Sequence, residues 1–238
     1  MNKQKTIQNN IHYIFEKIEN CCNKIRADKN TVELMAVTKT VESDDILIAY
    51  KEGIKLFGEN YIQQAVKKLD VLYAENTVNA RHFHFIGHLQ SNKLNKAMQY
   101  FSSIDAVDSL DLAEKIDRKS SSIQDTTSIY LEVNTSNEPA KHGFSPDDLL
   151  IFIDKIVLFK HIQLMGLMTM GPLMGNEKEV RSSFALLRKL KEAIEARLGV
   201  KGLLLSMGMS NDYEWAIMEG SNMIRIGRGI FGEESIKK

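Results

Sequence analysis

The fold is decided by the stretch VELMAVTKTVES, residues 32–43. Val32 to Thr38 form a short, mainly apolar run that is typical of a buried strand. A helical pattern begins at Ser43, a few residues later. The turn between them, Thr38-Lys39-Thr40, contains no glycine, whereas the first turn of a doubly wound open sheet is normally Gly-rich. The stretch predicts a strand followed by a helix, with a lysine at the carboxyl end of the strand.

The same alternation of short apolar runs and longer helical patterns continues along the chain. The further predicted strands are Lys55 to Gly58, His82 to Ile86, Ile104 to Val107, Ser128 to Asn134, Gln163 to Met168, Leu203 to Met207 and Met223 to Gly227. The helical patterns cover Tyr61 to Leu69, Ser91 to Gln99, Leu110 to Lys119, Pro146 to Phe159, Glu177 to Leu198 and Asn211 to Met218. Eight strands, each followed by a helix or helical turn, predict a closed parallel α/β barrel of the TIM-like (β/α)₈ type.

An additional helix precedes the first strand. Its apolar stripe consists of isoleucines at three- and four-residue steps or their multiples: Ile7, Ile11, Ile14, Ile18 and Ile25. No Pro- or Ser-rich linker, tandem repeat or long charge block divides the chain. Residues 1–238 are therefore predicted to form a single domain.

The composition excludes several classes of function. Lysine and arginine together number 31, as do aspartate and glutamate, so no net charge attracts nucleic acid or an anionic membrane. The N-terminal residues lack the apolar core of a secretory signal, and no apolar run is long enough to span a membrane. Cys21 and Cys22 are adjacent, and a disulfide between them would be strained. We expect a cytoplasmic protein with two reduced, partly buried thiols.

The candidate site residues lie at the carboxyl ends of the predicted strands, where barrels of this type carry their function. Lys39 projects into the barrel mouth, where burial favours a neutral amine that reacts with aldehydes. A lone lysine after a strand is, however, usually a solvated loop residue. The lysine alone is a weak indication of a covalent site.

Two small-residue turns predict a phosphate site. Ser206 to Asp212 follow the seventh strand and lead into a helix, with Met207 and Met209 flanking the turn, and Ile226 to Gly229 follow the eighth strand. Backbone N–H groups at such turns bind phosphate, commonly after strands seven and eight of a barrel. The alternative is a capped helix and a tight turn that bind no ligand.

Arg225 lies within the last strand, and strand alternation turns it away from its isoleucine neighbours and toward the barrel interior. A buried arginine often pairs with a carboxylate from a neighbouring strand. If its guanidinium instead faces a pyridine nitrogen, it disfavours protonation of that nitrogen and weakens the ring as an electron sink.

His82, His84 and His88 have a spacing that suggests a metal site, because His82 and His84 would share one face of a strand. The sequence places no cysteine or paired carboxylate beside them, and we predict no metal. A histidine at a strand end can instead hydrogen-bond the backbone or line a cavity.

Taken in order, these segments resemble the pyridoxal phosphate homeostasis protein family, whose barrel is like the N-terminal domain of alanine racemase and of fold-type III pyridoxal 5′-phosphate (PLP) proteins. The motifs that carry the resemblance are Ala36 to Thr40, Phe57 to Tyr61, His84 to Gly87, Leu89 to Lys93, Gly166 to Thr169, Leu205 to Ser210 and Arg225 to Gly227. They span nearly the whole chain. The cofactor-binding residues that the resemblance implies are Lys39, Asn60, Met207, Ser210, Arg225, Gly227 and Arg228.

By this resemblance Lys39 forms a Schiff base with PLP, Arg225 approaches the pyridine nitrogen, and Ser210, Gly227 and Arg228 hold the phosphate. The chain departs from the family pattern at two positions. His88 stands where many relatives have proline, and Arg228 stands where a small hydroxyl residue is common. Without that hydroxyl, one phosphate contact must come from a backbone amide or from the Arg228 side chain, whose charge strengthens binding.

The resemblance implies a PLP-binding protein of intracellular vitamin B6 homeostasis that catalyses no committed reaction. Its implied partners are PLP and PLP-dependent apoenzymes, and we expect a monomer. An amino-acid racemase is the main alternative, although racemases carry an extra β-domain and a second acid/base. An aldolase-like Schiff-base enzyme is a third alternative; no carboxylate partner for Lys39 stands out at a predicted strand end, and Glu59, Asp105 and Glu132 remain candidates.

Overall fold

The computed structural model describes residues 3–25, 27–74 and 77–232. Eight parallel strands, each hydrogen-bonded to the next along the chain, close into a barrel when the last pairs with the first. The strands are β1 (Glu33–Val37), β2 (Leu56–Glu59), β3 (Phe83–Phe85), β4 (Ser103–Val107), β5 (Thr127–Glu132), β6 (Ile162–Met168), β7 (Leu204–Ser206) and β8 (Met223–Ile226). The predicted (β/α)₈ barrel is confirmed.

Helices surround the barrel and connect successive strands. In the described ranges they are α1 (Lys3–Ile25), α2 (Ser43–Lys51), α3 (Ile62–Ala74), α4 (Leu94–Tyr100), α5 (Leu110–Ser122), α6 (Pro146–Ile156), α7 (Glu177–Leu198), α8 (Tyr213–Met218) and α9 (Arg228–Phe231). The four-residue α9 begins in a segment that the sequence predicted as a tight turn. No helix in these ranges is long and apolar enough to cross a membrane.

Helix α1 takes the place of an eighth outer helix. Strand β8 is followed only by the short α9, and α1 packs against α2, α8 and α9 on that side of the barrel. Ile7, Ile11, Ile14 and Ile18 are buried in this contact, as the stripe predicted. Ile25 is 41% exposed, so the prediction was wrong there, because the helix ends at this residue.

The two cysteines of α1 are free thiols, as predicted. Cys21 and Cys22 are each 1% exposed and belong to the core, so they are more deeply buried than the sequence predicted. Burial raises the pKa of both thiols, which keeps them protonated and unreactive.

Inward-facing side chains of the described residues pack the interior of the barrel. The apolar interior cluster consists of Met35, Leu56, Ala106, Tyr130, Met168 and Met223, drawn from six different strands. Because successive side chains of a strand alternate between its faces, the inward orientation of Met35 is shared by Val37 and then Lys39. The alternation places the Lys39 side chain at the mouth of the barrel.

The packing of α1 gives a test of its role in the fold. We expect Ile11→Ala to lower the free energy of unfolding by about 2–5 kcal/mol, because a fully buried isoleucine leaves a cavity. The matched control, Ile25→Ala on the same helix, removes a partly exposed side chain and should cost about 0.5 kcal/mol. Urea denaturation followed by circular dichroism measures both, and equal losses would contradict the docking of α1.

Candidate functional site

A cavity of about 470 Å³ opens at the carboxyl ends of β1, β7 and β8, where a barrel of this type carries its site. Five of the seven predicted cofactor-binding residues line it: Lys39, Ser210, Arg225, Gly227 and Arg228. The loop after β6, around Gly171 to Gly175, forms the opposite wall. The cavity therefore gathers residues that are far apart in the sequence.

Lys39 is partly buried, and the backbone before it is held firmly. The buried hydroxyl of Thr38 donates to Glu59 Oε1 at 2.5 Å, and Lys68 Nζ lies 2.7 Å from the same oxygen and donates to the Thr38 carbonyl. Burial raises the pKa of Glu59, while Lys68 and Thr38 act to lower it. Because Lys68 comes from α3, this buried cluster fixes the end of β1 against the outer helices.

The sequence did not single out Lys68, and it considered Glu59 only as a partner for Lys39. In the structure Glu59 faces the helices and contacts Thr38 and Lys68. A glutamate at the end of a strand followed nine residues later by a lysine on a helix is too common a pattern to be recognised without coordinates. The pair supports Lys39 indirectly, by holding the backbone of its strand.

The turn after β7 begins at Gly208, whose φ of +99° strongly favours glycine. Its carbonyl accepts the Arg225 N–H at 2.9 Å, which joins the turn to β8. The carboxylate of Asp212 accepts the Met209 N–H at 2.5 Å and closes the turn from the other end. Ser210 is thereby held at the edge of the cavity, and its Oγ accepts the Gly229 N–H at 3.3 Å. The two predicted turns are in direct contact.

Gly227 presents its backbone to the same place. Along a strand, N–H groups two residues apart point to the same side, so the Gly227 N–H points toward the turn after β7, as that of Arg225 does. Within the described part of the chain this N–H donates to no protein acceptor. The side chain of Arg228 lies nearby on the exposed rim. Together these groups offer an anion one free amide, one hydroxyl and one cation.

Arg225 is buried and points inward, as strand alternation predicted. Its guanidinium donates to Ser206 Oγ at 2.7 Å and to the Thr169 carbonyl at 2.8 Å. Burial lowers the pKa of Arg225, and the carboxylates of Asp105, Glu132 and Asp212 act in the opposite direction. The alternative prediction, that Arg225 pairs with a carboxylate, is wrong, because both of these hydrogen-bond acceptors are neutral groups. The group remains a cation because its ordinary pKa is so high.

Asn60 and Met207 are not among the described residues that line the cavity. Met207 is fully buried, and its N–H donates to the Met223 carbonyl at 3.0 Å. Asn60 is partly buried at the end of β2, and its Oδ1 has no hydrogen-bond partner among the described residues. Their assignment to the cofactor stays a prediction.

The three histidines do not form the strand-face pair that the sequence suggested. His82 ends a short 3₁₀ turn before β3, where its Nδ1 accepts the Asn79 N–H. His84 points inward and lies 2.9 Å from Asp105. Burial acts to lower the pKa of His84, but Asp105 outweighs it and raises the pKa. His88 lies at the barrel mouth, away from the other two.

Comparison with known proteins agrees with this architecture. Residues 15–235 match the family model of the alanine racemase N-terminal domain. The pyridoxal phosphate homeostasis protein of Haemophilus influenzae is 35% identical over 95% of this chain and 95% of its own. That of Aquifex aeolicus is 33% identical over 92% of this chain and 95% of its own. The relatives therefore match nearly end to end.

Solved structures show the same relationship. A protein from Bifidobacterium adolescentis superimposes with a TM-score of 0.89 at 35% identity, covering 96% of this chain and 95% of its own. PipY of Synechococcus elongatus, solved with PLP bound, superimposes with a TM-score of 0.79 at 32% identity, covering 90% and 100%. Alanine racemase of Clostridium difficile shares the fold at 16% identity and a TM-score of 0.70, over 93% of this chain and 55% of its own. This chain belongs to the pyridoxal phosphate homeostasis protein family.

Proposed function

We propose that the chain binds PLP as a Schiff base on Lys39 and serves in PLP homeostasis without a committed reaction of its own. The observation that carries the proposal is the cavity in which an amine, a buried guanidinium and two anion-binding turns meet. Near-full-length relatives named pyridoxal phosphate homeostasis protein, and a relative solved with PLP bound, support it.

The residues of the cavity fit the chemical parts of PLP one by one. PLP supplies an aldehyde, which reacts reversibly with amines, and a phosphate that can be anchored. The Lys39 amine attacks the aldehyde carbon, and a C=N bond forms with release of one water molecule. The phosphate is held by the Ser210 hydroxyl, the Gly227 N–H and the side-chain cation of Arg228. Lys39 follows β1, which pairs with β8, and Lys39, Ser210 and Gly227 all line one cavity, so one molecule can reach all three.

Arg225 suits the ring nitrogen of PLP, and fold-type III racemases share an arginine at that place, so this residue does not separate binding from racemisation. Its guanidinium has only donors and is held by Ser206 and Thr169, so it cannot take a proton from a pyridine nitrogen or accept a hydrogen bond from it. A cation beside that nitrogen keeps it unprotonated, and an unprotonated ring stabilises a carbanion poorly.

The racemase alternative has less support. Likeness to alanine racemases at 16% identity shows the fold alone. The likeness also covers only 55% of the racemase chain. The proposal includes the finer expectations that residues 1–238 act as one cytoplasmic, monomeric PLP-binding unit and that PLP-dependent apoenzymes receive the cofactor.

Reduction with borohydride after PLP addition tests the covalent bond. We expect one PLP per chain, fixed on the peptide that contains Lys39, because reduction makes the imine permanent. Lys39→Ala should lose the label, whereas Lys29→Ala, a control at the opposite end of β1, should keep it. Peptide mass mapping measures both, and a label spread over surface lysines would defeat the proposal. The colour of the purified protein also distinguishes the two functions, because a PLP imine is yellow and an aldolase of this kind is colourless.

The phosphate anchor is tested by comparing PLP with pyridoxal, which lacks the phosphate. We expect Ser210→Ala and Arg228→Ala each to weaken PLP binding about tenfold, since a hydrogen bond to a charged group contributes about 1.5–3 kcal/mol. Binding of pyridoxal should hardly change. Ser122→Ala, on the exposed end of α5, is the matched control. Equal effects on both ligands, measured by absorbance titration, would show that the turns do not hold phosphate.

The role of Arg225 is tested by absorbance spectra of the PLP-loaded protein. We expect Arg225→Ala to weaken retention of PLP and to shift the imine band, because the ring nitrogen becomes easier to protonate. Arg225→Lys keeps a positive charge and should shift the band less. Near-UV circular dichroism checks that the barrel remains folded without the guanidinium. An unchanged spectrum and unchanged retention in a folded Arg225→Ala protein would remove the assigned role.

A further inference from the structure

We propose that His88, Asp108 and His142 bind one divalent transition-metal ion of the Zn²⁺ class at the barrel mouth. The ligand atoms that these three residues offer lie within 4.8 Å of one another. The site is distinct from the cavity of Lys39, and none of its three residues lines that cavity. The inference does not depend on PLP binding.

The topology of the barrel brings the three residues together. His88 follows β3, Asp108 follows β4, and His142 lies in the loop after β5. These three strands are consecutive neighbours in the sheet, so their carboxyl ends lie side by side. The cavity of Lys39 is built on β7, β8 and β1, on the other side of the mouth. Spacing along the chain does not reveal this group, because His142 lies 54 residues after His88.

The distances suit a coordinated ion. Asp108 Oδ2 lies 3.1 Å from His88 Nδ1 and 3.8 Å from His142 Nδ1. Ligands about 2.1 Å from a tetrahedral zinc ion are separated from one another by about 3.4 Å, which falls between these two values. Both imidazoles thus direct a nitrogen toward the same carboxylate oxygen. Because an imidazole binds a metal in the plane of its ring, the two stacked rings must rotate out of the stack so that both Nδ1 atoms face one ion.

The imidazole rings are also ordered relative to each other. Those of His88 and His142 stack with centroids 4.1 Å apart and planes 16° from parallel. Two imidazoles and one carboxylate are nitrogen and oxygen donors that Zn²⁺ and its neighbours in the first transition row prefer, whereas Ca²⁺ and Mg²⁺ prefer oxygen alone. Three protein ligands also leave one coordination position open.

The backbone on each side of the ligands is fixed. A Cβ on Gly87 would lie 2.2 Å from the Asn60 carbonyl oxygen, so residue 87 packs directly against the end of β2. Leu89, on the other side of His88, is buried. Phe144 is tied to Glu132 and Asn134 by hydrogen bonds of 2.8 and 2.9 Å, which hold the loop that carries His142.

The local charge favours a cation. The Asp108 side chain is only 13% exposed, and the buried carboxylate of Glu132 lies close enough to interact with it electrostatically. The negative charge of a mostly buried carboxylate favours a divalent ion beside it. The hydrogen bond from His88 alone offsets less of this charge.

Titration of the full-length, tag-free protein with Co²⁺ tests the site, because Co²⁺ takes zinc-like geometry and its visible bands report coordination. We expect one Co²⁺ per chain, displaced by Zn²⁺. His88→Ala and His142→Ala should each weaken binding at least about tenfold, as losses around metal sites do. Asp108→Asn, which keeps the side-chain shape, should do the same. Far-UV circular dichroism checks folding of each variant.

Two controls make the result specific. His12→Ala removes an exposed histidine that also faces a carboxylate, Glu52 at 3.0 Å, but has no second imidazole, and binding should be unchanged. Lys39→Ala should bind Co²⁺ normally, which separates this site from the PLP site. Absence of stoichiometric binding, or binding that survives both His88→Ala and His142→Ala, would overturn the proposal and leave Asp108 as a hydrogen-bond partner only.

Discussion

The pairing of β8 with β1 is the constraint on which the site depends. In this parallel register Arg225 is the partner of Met35, so both side chains face the barrel interior. Just beyond this pairing Gly227 packs against Val37, whose carbonyl oxygen would lie 3.2 Å from a Cβ at position 227. The pairing closes the barrel and, in the same step, sets Lys39 beside the turn that offers the Gly227 amide. A shift of one residue in this register would turn Lys39 toward the outer helices.

The barrel mouth divides into two chemically different halves. The half on β7, β8 and β1 carries Lys39, Arg225 and the two turns, and it is suited to an anion and an aldehyde. The half on β3 to β5 carries carboxylates and imidazoles, and it is suited to a cation. Glu132 lies between them: burial raises its pKa, Asp108 adds to that effect, and Arg225 and His142 oppose it. One packed interior thus separates two sites of opposite electrostatic preference.

The sequence predicted the strands well because each is a short apolar run whose alternation is imposed by a single packed interior. The inward orientation of Arg225 followed from that rule, and so did the position of Lys39. The hydrogen-bond partners of Arg225 could not be predicted, since Ser206 and Thr169 come from other strands and depend on register. The grouping of His142 and Asp108 could not be predicted either, since these residues follow different strands. Ile25 was wrongly placed in the core because periodicity does not show where a helix ends.

The central claim is that one ligand is held by Lys39 at one end and by the turns after β7 and β8 at the other. A crystal structure of the protein grown with PLP tests it most directly. The account predicts continuous electron density from Lys39 Nζ to the ligand, with the phosphate against Ser210 and the Gly227 amide and the guanidinium of Arg225 facing the ring nitrogen. Density for PLP on a different lysine, or a phosphate bound away from these two turns, would contradict it.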